Sequence, residues 1–472
     1  MTAPSRRRAT TFLVLAAATV AVMAAVTAVM VGGFGYIRPS TRPQFGIAIG
    51  VLWVLFAIAV LLLRSVPARA AVVVILAGSV LVGGAAMAGP PDTSTDSARY
   101  AWDGIVQNAG ISPYAHVPQS DALAPLRTDW LFPPTTSNTD GHPHCTQPRT
   151  HLITAEPSGD RLCTAINRAG VPTIYPAGAE LIFAGVRAIT GPGPAYWPLQ
   201  LVGLIAMTGV TVLLLAGLRR RGLDPRWAAL WALCPLVASE AVTNSHIDVV
   251  GGLLALVATF LVSAGRRWRG GIALGAAVAV KLIPVLAAPA LLRRQPGKVV
   301  VAAIATFAVL YVPYVLVSGV AVLGYLPGYL SEEGYDDGSR FALLTALLPG
   351  PAAIVVAAVL IAAAAVLVVV FSDPARPWLG QVVMIGTTLL IVSPRYPWYA
   401  LLLVPFVAMS GRWEWMLVPL ALSVRVIATS TVVTRVALLT AIVAIVAAAI
   451  VRRRSARRAH PTPAAVPNPV RT

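Results

Sequence analysis

The chain has 472 residues, of which 57% are hydrophobic and 11% charged, and its mean hydropathy is +0.77. Soluble domains carry about a quarter charged residues, and surface area falls too slowly with size for an aqueous fold to hide this much apolar side chain. A bilayer is the solvent that fits, and the net charge of +18 does not change this: the arginines gather in short clusters between apolar runs (Arg219–Arg221, Arg266–Arg269, Arg452–Arg458), as in cytoplasmic loops and unlike a nucleic-acid-binding face.

Apolar runs of about 20 residues mark membrane spans. Arg6–Arg8 precede a run from Thr11 to Gly33. It is longer than the ~7–15 residues of a signal-peptide core, so it reads as an uncleaved first span. Phe45–Leu63 and Ala70–Ala88 follow. With Arg6–Arg8 inside, the third span exits outward, and the polar stretch that follows is extracytoplasmic. Later runs are Tyr196–Leu218, Trp227–Val242, Val249–Ala264, Gly271–Leu292, Val299–Val317, Ala352–Phe371, Leu379–Val392, Tyr399–Met409, Met416–Thr429 and Val436–Val451. Gly271–Leu292 has arginines at both ends, so a hairpin broken near Lys281–Pro284 keeps both clusters on one side.

The expected fold is an all-α polytopic bundle of roughly 12–14 membrane helices. It divides into three spans over residues 1–88, an extracytoplasmic loop over 89–195, a bundle over 196–451 with a second outer loop at 324–340, and a basic, Pro-rich cytoplasmic tail over 452–472. Both termini are expected in the cytoplasm. No internal repeat of the kind that marks many secondary transporters is visible.

The long outer loop opens with TDSARYAWDGIVQNAGISPY, Thr95–Tyr114. Helical spacing puts Asp96, Arg99, Tyr100 and Asp103 along one face. A carboxylate just beyond a span, flanked by aromatics, suits a general base acting on a sugar hydroxyl. The alternative is that Asp96 only caps the helix. Lys281 and Arg425 lie within apolar runs, where charge is costly and marks a functional site unless it snorkels or pairs; Arg395 lies at an outer turn against the positive-inside bias. Trp102, Tyr114, Tyr175, Trp398 and Tyr399 suit stacking on sugar rings, or anchoring at the interface. Tyr175-Pro176 leads into an amphipathic stretch, Ala177–Ile189, read as an interfacial brace. His246 and Asp248 form a poor metal signature and read better as acceptor contacts. No metal site is assigned, and a divalent cation is the one cofactor left open. Glu332, Glu333, Asp336 and Asp337 form an acidic stretch, either solvated or a lid. Cys145 and Cys163 share the outer loop, where an oxidising exterior permits a disulfide, while Cys234 lies in a span.

Asp96-Ser-Ala-Arg-Tyr, Trp102-Asp103-Gly104 and Pro113-Tyr114 resemble the first outer loop of GT-C-type glycosyltransferases, in particular the bacterial polyprenol-phosphate mannosyltransferase group (glycosyltransferase family 87 and relatives). Asn167–Pro176 (NRAGVPTIYP), Asn244–Asp248 (NSHID), Gly275–Pro284 (GAAVAVKLIP) and Ser393–Pro405 (SPRYPWYALLLVP) extend the resemblance over about two-thirds of the chain. It implies a catalytic aspartate in the first outer loop, for which Asp96 is the best match and Asp103 the reserve. In such enzymes that loop commonly follows the first span; here it follows the third, and two added spans preserve the sidedness.

The resemblance also implies transfer of a sugar, mannose first among candidates, from polyprenyl phosphate to a cell-envelope glycan or glycolipid on the extracytoplasmic face, with inversion. Arg395, Lys281 and Arg425 are the expected donor-phosphate contacts. Arg99, Tyr100, Trp102, Tyr114, Tyr175, His246 and Asp248 are the expected substrate contacts. The partners are the lipid-linked donor, the acceptor and membrane lipids, with no nucleic acid. The alternative class is a transporter or lipid-linked sugar flippase, which needs a path through the bundle and no ordered outer segment.

Overall fold

The computed structural model describes residues 6–193 and 195–459; the Pro-rich part of the expected tail lies outside them. Three long helices, α1 (Arg6–Gly33), α2 (Arg42–Leu63) and α3 (Ala68–Ala85), precede the polar segment. That segment holds α4 (Asp96–Asn108), two small hairpins and α5 (Ala177–Thr190). The chain then re-enters the bundle as α6 (Trp197–Arg220), α7 (Ala229–Ala232) and α8 (Pro235–Val237), which runs into a π-helical turn, Ala238–Thr243. After α9 (Asp248–Ser263) and α10 (Arg267–Val280) come α11 (Pro296–Ser318) and the short α12 (Leu326–Glu332). The bundle closes with α13 (Gly350–Phe371), α14 (Trp378–Val392), α15 (Val404–Ser410), α16 (Leu417–Ile427) and α17 (Thr431–Ala459).

The protein is an all-α polytopic membrane protein. Among the described residues, seven helices are long and apolar enough to cross a membrane, or eight if the bent pair Pro235–Thr243 and Asp248–Ser263 is one span. The other expected spans are apolar but short or broken, which is why the roughly 12–14 runs read from sequence do not each give a full-length helix. Large apolar side chains such as Ile47, Val73, Ile304, Leu316 and Val355 are exposed, as lipid-facing side chains are. The basic run from Arg452 continues α17 to Ala459 instead of opening a loose tail; arginine is a good helix former.

Close packing relies on small residues, as in other membrane bundles. A Cβ on Gly203 of α6 would come within 1.8 Å of the Ala241 carbonyl oxygen in the π turn, and one on Gly104 within 2.4 Å of the Phe183 carbonyl oxygen, so α6 lies directly on the π turn and α4 on α5. Two polar links join the end of α3 to this region, from Gln200 to the Gly89 carbonyl and from the Thr243 hydroxyl to the Ala86 carbonyl, and Gln200 also donates to the Thr243 carbonyl.

The expected break after Gly271 falls at Lys281, where α10 ends and the backbone turns extended before a 3₁₀ stretch at Ile283–Ala287. The segment doubles back, since the Arg267 guanidinium donates to the Arg294 carbonyl. Nearby basic turns are stitched together: Arg226 bonds the Val66 carbonyl, Arg221 bonds Ser263 and stacks over Trp378, and Arg293 bonds the Ser372 carbonyl. They gather at one end of the bundle, and the 89–195 segment joins α3 to α6 at the other.

In that segment β1 (Thr136–Ser137) pairs with β2 (Pro143–His144) and β3 (His151–Thr154) with β4 (Arg161–Thr164), both antiparallel. Cys163 of β4 is bonded to Cys145, with a Cα–Cα distance of 5.6 Å. Cys234 is free and buried. Maleimide labelling of the denatured protein is therefore expected to tag one thiol before reduction and all three cysteines after it; equal labelling in both would remove the bridge.

Candidate active site

A cavity of about 570 Å³ opens where the 89–195 segment meets the bundle. Its polar wall includes Asp96, Asn167, Arg168, Lys281 and Arg340, and its aromatic wall Tyr175, Tyr329, Tyr396, Trp398 and Tyr399. Asp96 is the first residue of α4, and the residue before it, Thr95, makes no side-chain capping bond. The Asp96 backbone N–H bonds the Ser94 hydroxyl at 3.2 Å, and its Oδ1 accepts from the Asn167 amide at 2.5 Å. The carboxylate is thereby held facing the cavity at a helix N-terminus, where negative charge is favoured.

The loop before Asp96 is fixed from across the bundle. Between α8 with its π turn and α9 the chain bends by 115°, at Asn244-Ser245-His246-Ile247. Ser245 sits at φ 57°. The Asn244 Oδ1 accepts from the backbone N–H groups of Asp92, Thr93 and Ser94 at 3.1–3.3 Å, and its amide donates to the Thr93 hydroxyl at 2.7 Å. The break tolerated here thus supplies the anchor for the α4 N-terminus. The same break brings the buried His246 ring against Asp96 and stacks it on Trp398 at 3.8 Å; Trp398 in turn stacks on Tyr396 at 4.3 Å.

Each cation on the wall is paired. Lys281 Nζ lies 3.1 Å from Asp248 Oδ2 and 5.2 Å from the centre of the Tyr175 ring. Arg168 grips Glu332 through bonds of 2.8–3.0 Å and lies over the Tyr329 ring. Arg340 is paired with Glu333, both buried. The Tyr329 and Tyr399 hydroxyls share a 2.9 Å hydrogen bond. Glu332 and Glu333 are thus engaged by cations of the cavity wall.

Of the residues singled out in the sequence, Asp96, Tyr175, Lys281, Trp398 and Tyr399 line the cavity, with His246 and Asp248 directly behind them. Asp103, Arg99, Tyr100, Trp102 and Tyr114 are absent from its lining and are buried in the packing that supports it. Asp103 accepts two bonds from Arg99, which also holds the Val171 carbonyl. Tyr100 stacks on Phe183 at 4.4 Å, and Trp102 packs on Phe132. The Tyr114 hydroxyl donates to the Tyr175 carbonyl. Their sequence positions suit a site because they build the α4–α5 platform under it. Arg425 bonds the Ser393 and Pro394 carbonyls, bracing the turn that carries Tyr396 and Trp398, and Arg395 is exposed. Sequence reasoning passed over Asn167, Arg168, Asn244 and Arg340; the first three stood inside motifs already noticed, while Arg340 carried only the signal of an arginine at the end of an outer loop. Among the described residues no group of three or more His, Cys, Asp or Glu side chains is arranged to hold a metal ion.

Asn244→Ala strands three backbone donors at once, and an unpaired buried donor costs about 1–3 kcal/mol. A clear drop in the thermal unfolding temperature in detergent is expected, and an unchanged value would contradict this reading of the anchor.

The model of glycosyltransferase family 87 matches residues 173–394. This stretch contains His246, Asp248, Lys281, Arg340 and the whole broken-helix region, while Asp96, Asn167 and Arg168 precede it. No curated protein and no solved structure matches the chain. With its polytopic helical fold, the chain is a multi-pass membrane glycosyltransferase that resembles family 87 through residues 173–394.

Proposed function

We propose that the protein transfers a sugar, mannose being the first candidate, from a polyprenyl-phosphate donor to a cell-envelope glycan or glycolipid. The observation that carries this reading is the continuity of the polar cavity with an apolar groove. A second hollow of about 510 Å³ is lined by residues such as Phe307, Tyr311, Val315 and Leu316 of α11. It shares Ile174, Pro176, Leu282 and Leu326 with the first. Leu316 is 82% exposed, so the groove is open on the lipid-facing side of α11. An isoprenoid chain in this groove would bring its phosphate to the mouth of the cavity beside Lys281, Arg168 and Arg340, and its sugar toward Tyr396 and Trp398.

In this reading Asp96 is the general base. The acceptor hydroxyl loses its proton to Asp96 as its oxygen bonds to the anomeric carbon, and the carbon–phosphate oxygen bond breaks with the electron pair leaving on phosphate. A phosphate leaving group needs no protonation of the kind a glycosidase supplies, and the cations offset its charge. One displacement inverts the anomeric centre. The basic turns at the opposite end of the bundle support a cytoplasmic placement for that end, and so an extracytoplasmic site with cytoplasmic termini.

The test is transfer of radiolabelled mannose from synthetic polyprenyl-phosphate mannose in membranes. Wild type is expected to form a labelled glycolipid, and Asp96→Asn to lose at least about 10²-fold in rate, the scale of general-base catalysis, with unchanged membrane insertion. Near-normal transfer by Asp96→Asn would remove Asp96 from the role. Movement of intact labelled donor across proteoliposomes without glycoside formation would replace the transferase reading with a flippase.

A further inference from the structure

Behind Asp96 lies a line of buried ionisable groups that a single-base mechanism does not use. Asp96 Oδ2 is 3.7 Å from His246 Nδ1, and on the far side of the ring His246 Nε2 is 3.3 Å from Glu240 Oε2. Glu240 belongs to the π turn, a rare element frequently found at functional sites, and its Oε1 accepts from the Ser239 hydroxyl. Among the described residues neither ring nitrogen of His246, nor Glu240 Oε2, has a hydrogen bond of normal geometry. Leaving three such atoms buried is costly, and contacts of this kind tighten in the reacting complex. Trp398 fixes the ring plane by stacking, and the His246 backbone N–H bonds the Glu240 carbonyl, so imidazole and carboxylate keep a set relation.

We infer that His246 and Glu240 form a proton relay that clears Asp96 after each sugar transfer. The inference rests on the transferase reading above. In the reactive form His246 carries its proton on Nε2, toward Glu240, and presents the Nδ1 lone pair to Asp96. Once Asp96 has taken the acceptor's proton, it passes that proton to Nδ1 as Nε2 gives its own to Glu240. The imidazole is neutral before and after, Asp96 returns to the carboxylate, and Glu240 ends protonated. Asp92 is also buried near this line: burial, then the Glu240 charge, pushes its carboxyl up to about 7. Other charged or titratable groups facing this line are Tyr36, Tyr100, Tyr175 and Tyr396, Lys281 with Asp248, and Arg149 beside Asp92. Between Asp96 and Glu240, His246 is the group placed to carry a proton across. His246 and Glu240 are positioning residues, because each acts through Asp96.

The experiment measures kcat, donor KM and the pH profile of kcat in the mannose-transfer assay for wild type, Glu240→Gln and Glu240→Asp, with thermal unfolding as a fold control. Glu240→Gln keeps the shape but cannot take the proton. It is expected to lose about 10–10²-fold in kcat with donor KM within about twofold, and to lose one ionisation from the pH profile that Glu240→Asp restores. A folded Glu240→Gln enzyme with wild-type kcat and pH profile, or a loss that Glu240→Asp does not recover, overturns the relay while leaving the transferase reading intact. Absence of transfer by the wild type from polyprenyl-phosphate mannose and arabinose alike overturns that reading and the relay with it.

Discussion

The candidate site depends on one side chain at the break of a helix. Asn244 gathers the N–H groups of three consecutive residues around a single oxygen. That concave arrangement of backbone donors would otherwise attract an anion. Filling it from within the bundle locks the entry to α4, so that the direction of the Asp96 carboxylate is set by residues more than a hundred positions away. The same four-residue break delivers His246 to Asp96 and, at the start of α9, Asp248 to Lys281. Interrupting a span costs backbone hydrogen bonds that lipid cannot replace. Here the Asn244, Ser245 and His246 N–H groups bond back to the Ser239, Val242 and Glu240 carbonyls, so the interruption leaves them satisfied.

A second constraint is charge. Lys281, Arg168 and Arg340 are each matched to a carboxylate, and the Asp248 partner of Lys281 and the Arg340–Glu333 pair are buried. Removing one partner of such a buried pair is more damaging than replacing both. Asp96 differs: its contacts are an amide, a backbone-tethered loop and an imidazole rather than a guanidinium or ammonium. Asp103, by contrast, accepts two bonds from Arg99 in the same helix.

Much of the architecture was legible in the sequence because it is local. Long apolar runs give long helices, Lys281 before Leu282-Ile283-Pro284 gives a break, and Thr95-Asp96 before a helical run gives a helix start at Asp96. The α4 residues Arg99, Tyr100, Trp102 and Asp103 lie off the cavity lining, buried in the packing beside it. Polar and aromatic groups buried at a helix–helix contact need partners as exacting as those of a site. What sequence reading passed over is what tertiary crossing creates. Asn167 meets Asp96 across 71 positions, Arg168 meets Glu332 across 164, and Glu240 meets His246 only because the backbone between them is a π turn running into a break. Glu240 stands in an apolar run that scores as an ordinary span, so its single charge was absorbed into the hydropathy of its neighbours.

The central claim is that one carboxylate, Asp96, drives a single displacement at the sugar's anomeric carbon. The most direct test is the configuration of the product, read from the one-bond anomeric C–H coupling of a glycolipid made from ¹³C-labelled β-mannosyl polyprenyl phosphate. The account predicts an α-mannoside. A β-mannoside would require two displacements and a covalent intermediate, and would contradict the assignment of Asp96 as a base rather than a nucleophile.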